Sequence, residues 1–154
     1  SRSGDPEKYR LPQSHVTGNP YDMSFSGLKT AVVNLAHTAK QRGEELDLPS
    51  LAAAICRAVS DTLLSRALLA AEERGYGKLA IAGGVSANTL LRADLEAACA
   101  RSGLKAYCAP LSLCGDNAAM IGCQGYYEFL AGVRGNSSLN AYATMSPDSS
   151  LIRW

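Results

Sequence analysis

The sequence predicts an α/β fold in which a parallel sheet carries additional helices. Two short segments have the character of strands, Leu79–Ala82 in "KLAIAGG" and the segment "KAYCAP" that ends at Pro110. A helical pattern of apolar residues follows each of them. The order strand, helix, strand, helix requires parallel strands with a right-handed crossover, so we expect both strands in one sheet.

Two helices are predicted ahead of the first strand. The first covers about Leu28–Arg42, where apolar residues recur at helical spacing, with Ser26 as its cap. The second is rich in Ala and Leu and covers about Ser50–Arg74, and Gly75 supplies its stop. These are the helical additions in front of the sheet.

The remaining elements are the sheet and two further helices. Because Leu79–Ala82 are apolar without interruption, we expect the first strand to be buried on both faces. The segments "VSANTLLRADLEAACARSG" and "DNAAMIGCQGYYEFLAG" predict the later helices, which end at Gly103 and Gly132. A lone two-stranded parallel sheet makes a poor domain. Further strands are therefore expected from "FSG", "YAT" or a segment outside the chain.

Composition limits the function classes. The 154 residues are 47% hydrophobic and 19% charged, with a formal net charge of +1. A net charge this small does not indicate binding of nucleic acid or of an acidic membrane by the chain as a whole. A local basic patch that contacts RNA is still compatible with it. The five cysteines include no C-x-x-C pair, so neither a disulfide framework nor a zinc knuckle is expected. A reducing, cytoplasmic compartment fits them better. We expect no signal peptide, and no apolar run approaches the roughly 18 residues of a membrane span.

Two loops are expected at the carboxyl edge of the sheet, where open parallel sheets bind ligands. They are "GGVSAN", Gly83 to Asn88, and "PLSLCGDN", which contains Asp116. Gly83 and Gly84 let a ligand approach the backbone, the following helix start favours an anion, and the Asn88 amide suits ribose or a base edge. Asn88 and Asp116 would approach the same space. The alternative is a tight turn in which Ser86 or Asn88 caps the helix.

Asp116 has two interpretations. It either caps the helix that follows or supplies a hard oxygen ligand to a divalent metal. His15 and His37 are the chain's imidazoles, and neither has a partner at ligand spacing. A metal at Asp116 would therefore need ligands from outside this chain, or water and substrate oxygens.

The motifs resemble a known family. The segments "FSGLKTAV", "AIAGGVSANTLLR" and "CGDNAAMIG", with the opening "GDPEKYRLP", are similar to the C-terminal half of the bacterial TsaD family, also called Gcp, over Gly4–Gly132. The resemblance implies an actin-like ATPase fold of the ASKHA, ribonuclease H-like type. By this resemblance, residues 1–24 are a linker or the cut edge of an N-terminal half. Residues 25–132 are the C-terminal actin-like domain with added helices, and residues 133–154 are a tail.

The resemblance also implies an activity and its site. The family moves a threonylcarbamoyl group from threonylcarbamoyl-adenylate to N6 of adenosine 37 in tRNAs that read codons beginning with A, and AMP leaves. Asn88, with Gly83 and Gly84, would bind the nucleotide. Asp116 would ligate one divalent metal per subunit, iron or zinc, whose histidine ligands lie outside this chain. The tRNA supplies the nucleophile, so no nucleophilic side chain is expected in the protein.

Further expectations follow from the same resemblance. TsaB- and TsaE-like proteins would be partners, besides tRNA. Gly115 stands where the family usually has Thr, so a hydroxyl of the family pattern is missing there. Because the chain would hold about one wall of an interdomain cleft, we expect it to be inactive alone. The alternatives are a non-catalytic actin-like scaffold and the C-terminal lobe of an ASKHA small-molecule kinase.

Overall fold

The computed structural model describes residues 3–13, 16–141 and 143–144. The chain forms two compact units, Ser1–Cys114 and Gly115–Trp154. The elements of the first unit are helices α1 and α2, strand β1, helix α3 and strand β2, with bounds Ser26–Arg42, Leu48–Glu73, Lys78–Ile81, Thr89–Arg101 and Lys105–Cys108. Short 3₁₀ turns cover Gly84–Ala87 and Leu111–Leu113. In the second unit, helix α4 covers Ala118–Leu130.

The sheet confirms the predicted order of elements. β1 and β2 are parallel neighbours, paired from Lys78 opposite Lys105 to Ile81 opposite Cys108. Helix α3 connects them, as the alternating pattern requires. The first unit is therefore α/β.

The core lies between α2, α3 and one face of the sheet. Its buried centre consists of Leu64, Leu91, Leu95 and Cys99, and Leu95 is 0% exposed. Alternate residues of both strands pack against this centre, namely Leu79, Ile81, Ala106 and Cys108. Helix α3 follows the "GGVSAN" loop, and its apolar stripe packs it against the sheet.

The expectation of a strand buried on both faces is wrong. Burial in β1 alternates, so that Leu79 and Ile81 face the core while Lys78 and Ala80 are exposed. The physical reason is that the core helices α2 and α3 pack on the face that carries Leu79 and Ile81. Within the described residues the sheet has two strands.

The expected extra strands are not found in the described residues. "FSG" adds no strand, because Ser26 is already the first residue of α1. "YAT" begins at Tyr142, which lies outside the described residues. Ser26 is also not the cap of α1: Phe25 precedes the helix without a side-chain cap bond, and the Ser24 hydroxyl accepts from the Ser26 N–H at 3.4 Å.

Helix α2 begins two residues earlier than predicted. Asp47 caps it, since its carboxylate accepts a hydrogen bond from the Ser50 N–H at 3.2 Å, and Pro49 lies in the first turn, where its missing N–H costs nothing. The predicted stop is confirmed: Gly75 adopts φ +67°, which favours glycine. No helix in the described part of the chain is long and apolar enough to cross a membrane.

Candidate functional site

Asn88 links the end of β1 to the start of α3. After β1 the chain passes through Gly83 and the turn Gly84–Ala87 to Asn88. The side-chain oxygen of Asn88 accepts hydrogen bonds from the N–H groups of Leu90 and Leu91, at 2.9 and 3.2 Å. The capping alternative is therefore confirmed for Asn88, and its oxygen is committed to the helix.

The other polar atom of Asn88 is nearly uncommitted. Its amide nitrogen lies 3.8 Å from the Cys56 sulfur, a weak contact, and the residue is exposed. Because thiol sulfur is a poor acceptor, Nδ2 can donate both protons to a ligand. If Asn88 binds a nucleotide, it does so as a donor.

The two glycines keep the space beside the loop open. Gly83 adopts φ +79°, a conformation that side-chain-bearing residues rarely adopt. A Cβ atom added at Gly83 or Gly84 would meet no described atom within 4 Å. The turn is held from inside by Ser86, whose hydroxyl donates to the Gly83 carbonyl at 2.6 Å.

A cavity of about 600 Å³ lies beside Asn88 within the first unit. Its walls come from the N-terminal segment, from α2 and from the start of α3, and the lining residues are Gly4, Pro6, Ala53, Cys56, Arg57, Ala87, Asn88, Thr89 and Leu90. This volume is within the range of small-molecule sites. The Asn88 amide is thus part of a concave surface and not of a flat one.

The N-terminal wall is fixed to the first turn of α2. The Asp5 N–H donates to the Ser50 hydroxyl at 3.0 Å, and the Asp47 N–H donates to the Tyr9 hydroxyl at 3.0 Å. The Lys8 ammonium lies 2.8 Å from the Asp47 carboxylate. Gly4 packs so closely that an added Cβ would lie 2.1 Å from the Pro49 carbonyl oxygen. The segment predicted as a linker therefore contacts α2 through several specific bonds.

Arg57 places a fixed cation on the cavity wall. Its guanidinium lies 2.8 Å from Asp94 and 3.5 Å from Asp61. Burial lowers the pKa of Arg57, but the two carboxylates outweigh burial and raise it. Asp94 also accepts from the Ser60 hydroxyl at 2.6 Å. The acidic partners largely neutralise this cation, so it adds little net attraction for an anion.

Asp116 lies in the second unit and does not cap α4. Asn117 does so, with its side-chain oxygen 3.0 Å from the Met120 N–H, because Asn117 is the residue directly before the helix. The capping interpretation of Asp116 is therefore wrong. Asp116 is exposed, and among the described residues its carboxylate has no hydrogen-bond or ion-pair partner.

Metal-binding residues do not cluster in the described part of the chain. No group of three or more His, Cys, Asp or Glu side chains there could hold an ion. His37 is exposed on α1, and His15 lies outside the described residues. Asn88 belongs to the first unit and Asp116 to the second, so their approach to one space stays a prediction.

The comparison with known proteins decides the family. A family model described as TsaD, tRNA N6-adenosine threonylcarbamoyltransferase, matches residues 1–123. The chain belongs to the TsaD family. The motifs that carried the resemblance, including "GGVSAN" and "CGDNAAMIG", lie within the matched residues, which confirms it.

Individual TsaD relatives are similar over most of this chain. A tRNA N6-adenosine threonylcarbamoyltransferase from Moorella thermoacetica is 42% identical over 141 residues, which cover 92% of this chain and 41% of the relative. The protein of the same name from Symbiobacterium thermophilum is 45% identical, with coverage of 92% and 41%. That from Thermosynechococcus vestitus is 43% identical, with coverage of 95% and 43%. The chain thus spans about two fifths of the length of these relatives.

Three residues of this TsaD chain were missed by the sequence analysis. Cys56 and Arg57 line the cavity from α2, and Arg92 bonds to both loops at the carboxyl edge of the sheet. Periodicity gave no sign of the first two, because they lie in an uninterrupted helix. For Arg92 a signal existed: it follows Asn88 by one helical turn, so it projects near the same loop.

Proposed function

We propose that this chain forms the C-terminal part of a threonylcarbamoyltransferase that modifies adenosine 37 of tRNA, with an actin-like ATPase type of domain. The observation that carries the proposal is the position of Asn88: the motif residue lies at a cavity of about 600 Å³ with its amide nitrogen directed away from the helix that it caps. Family membership supplies the reaction class.

The reaction is an acyl-type transfer that needs no nucleophilic side chain. The N6 amine of the tRNA adenosine attacks the carbamoyl carbon of threonylcarbamoyl-adenylate. The new C–N bond forms, the C–O bond to phosphate breaks, and AMP leaves with the electron pair while N6 loses a proton. The protein's contribution is to orient both substrates and to stabilise the charge that develops.

In this scheme Asn88 orients the adenylate. Its oxygen stays on the N–H groups of Leu90 and Leu91, so its nitrogen donates to a ribose hydroxyl or to a base acceptor. Gly83 and Gly84 leave room for the ligand to approach the backbone. The remainder of the pocket comes from protein outside this chain, so we expect the chain alone to bind nucleotide weakly and to transfer nothing.

Asp116 can supply one ligand of a metal site. Its free, exposed carboxylate is a suitable oxygen ligand for a divalent ion such as iron or zinc, and the other ligands must come from outside the described residues. When bound, such an ion would supply Lewis-acid stabilisation of carbamoyl and phosphate oxygens. TsaB- and TsaE-like proteins are the proposed protein partners, and the cytoplasm is the proposed compartment.

The test is a chimera. The 141 matched residues of the Moorella thermoacetica relative are replaced by those of this chain, and transfer to tRNA is measured with synthetic threonylcarbamoyl-adenylate. We expect an active chimera that loses activity on Asn88→Ala or Asp116→Ala. Asn88→Asp separates capping from binding, because it keeps the acceptor for Leu90 and Leu91 and removes the donor.

Two results would contradict the proposal. A chimera that folds but shows no transfer would exclude the activity for this chain. An active chimera in which Asn88→Asp and Asp116→Ala both keep full activity would assign this domain a scaffold role instead. Calorimetry of the isolated chain with AMP measures the affinity that the chain has alone. Its repetition with Asn88→Asp shows how much of that affinity depends on the Asn88 amide nitrogen.

A further inference from the structure

Arg92 bonds to both loops that leave the carboxyl edge of the sheet. Its Nε donates to the carbonyl of Ser86 in the "GGVSAN" turn. One terminal nitrogen donates to the carbonyl of Ala109, directly after β2, at 2.6 Å, and lies 3.1 Å from the Cys114 sulfur. All four residues belong to the first unit.

Two of the residues that Arg92 contacts are buried, and Arg92 itself is partly buried. Cys114 is 4% exposed and Ser86 is 1% exposed. The Ser86 hydroxyl lies 3.2 Å from the Cys114 sulfur, so the two side chains contact each other as well as the guanidinium. A partly buried guanidinium that lost one of these partners would leave a donor poorly satisfied, which is unfavourable. The arrangement therefore favours one relative placement of the two loops.

Each of the two loops lies close in sequence to a predicted site residue. Asn88 is two residues beyond Ser86, and Asp116 is two residues beyond Cys114. Arg92 uses Nε for Ser86 and a terminal nitrogen for Ala109 and Cys114, whereas a lysine has a single ammonium nitrogen and cannot occupy both positions. The rest of α3 does not need this group, since its core contacts come from Leu91, Leu95 and Cys99.

We propose that Arg92 is a positioning residue for the transfer reaction, and that it acts by holding the Asn88 loop and the Pro110–Cys114 turn in one fixed geometry. This inference rests on the proposed function. It assigns Arg92 no contact with substrate. Its role is to keep the two loops at the separation that the reactants require, where displacements near 1 Å cost large factors in rate.

The geometric half of the proposal is tested on the isolated chain. Iodoacetamide labelling is followed by mass spectrometry, which resolves the rate at each cysteine. We expect Cys114 to label slowly in the original chain and severalfold faster in Arg92→Gln and Arg92→Lys, while exposed Cys123 keeps its rate. Arg101→Gln, an exposed arginine of the same helix, is the matched control and should change neither rate. Unchanged labelling of Cys114 in both Arg92 variants overturns the proposal.

The functional half is tested in the chimera at a temperature well below its melting point. We expect kcat to fall by roughly tenfold or more in Arg92→Lys, with a smaller change in KM for the adenylate. A purely structural arginine would lower the melting temperature and leave kcat intact, and that result overturns the inference. A chimera inactive even with Arg92 contradicts the proposed function and with it the positioning role, and the labelling rates then report separately whether the junction exists. Should Arg92→Gln fail to fold, Arg92→Lys decides both measurements.

Discussion

The Lys8 ammonium donates to the Asp47 carboxylate at 2.8 Å and so joins the N-terminal segment to the first turn of α2. The hydrogen bond from Lys8, followed by those from the Ser50 hydroxyl and N–H, lowers the pKa of Asp47 from 3.8 to about 2. The ionised carboxylate thus contributes stability above pH 3.8, and that contribution is lost as the pH falls towards 2.

The first prediction concerns this pH window. Asp47→Asn keeps a capping oxygen but has no charge to titrate. We expect the chain to unfold at a higher urea concentration than Asp47→Asn at pH 6, and the two midpoints to converge near pH 2. Taking the difference between the two proteins removes the effect of other carboxylates. A difference that is the same at both pH values would show that Asp47 does not have its pKa lowered by folding.

The second prediction concerns Gly4. A Cβ atom there would lie 2.1 Å from the Pro49 carbonyl oxygen and 2.4 Å from the Ser50 nitrogen, both backbone atoms that cannot rotate away. We expect Gly4→Ala to lower the free energy of unfolding by about 1–3 kcal/mol, measured by urea denaturation. Gly27→Ala is the matched control, because the site is open and lies in the first turn of α1, so the change should not destabilise the chain. Equal effects of the two changes would contradict the close packing of the N-terminal segment.

The third prediction concerns the core beneath the site. Leu95 is 0% exposed and belongs to the buried centre shared by α2, α3 and the sheet. We expect Leu95→Ala to cost about 2–5 kcal/mol, seen as a lower thermal midpoint. Leu111→Ala removes the same atoms from a side chain that is 61% exposed and should cost little. A similar loss from both would mean that α3 does not pack on this centre.

The fourth prediction concerns Gly115, where the family resemblance leads us to expect threonine. A Cβ atom at Gly115 meets no described atom within 4 Å, and the residue does not have a positive φ. We expect Gly115→Thr and Gly115→Ala to fold normally and to gain up to about 1 kcal/mol, because they restrict the unfolded chain. Calorimetric melting of both variants checks this. Destabilisation by threonine but not alanine would point to a steric limit beyond Cβ at this position.

What the sequence predicts well here is determined by nearby residues. The stop at Gly75 needs only a residue that tolerates a positive φ, and the cap at Asn88 needs only an acceptor within three residues of free N–H groups. The parallel pairing of β1 with β2 follows from the order of elements.

The errors arise where distant parts of the chain decide the outcome. Whether β1 is buried on one face or two depends on what packs on the sheet, which an apolar run does not specify. The cap of α4 is a separate, local error, since Asn117 caps the helix and Asp116 lies one residue before it. The bonds of Arg92 join residues 17 and 22 positions away in sequence, and no local pattern predicts them.

The double use of the Asn88 side chain has an evolutionary consequence. One atom of its amide starts α3, and the other faces the cavity. Replacement by an aliphatic residue would be selected against for the sake of the helix even in a lineage that had abandoned catalysis. Retention of a capping residue at position 88 is therefore a poor marker of an active enzyme, whereas, on the proposed role of Asn88, drift from asparagine to aspartate would record the loss of the ligand while the fold persists.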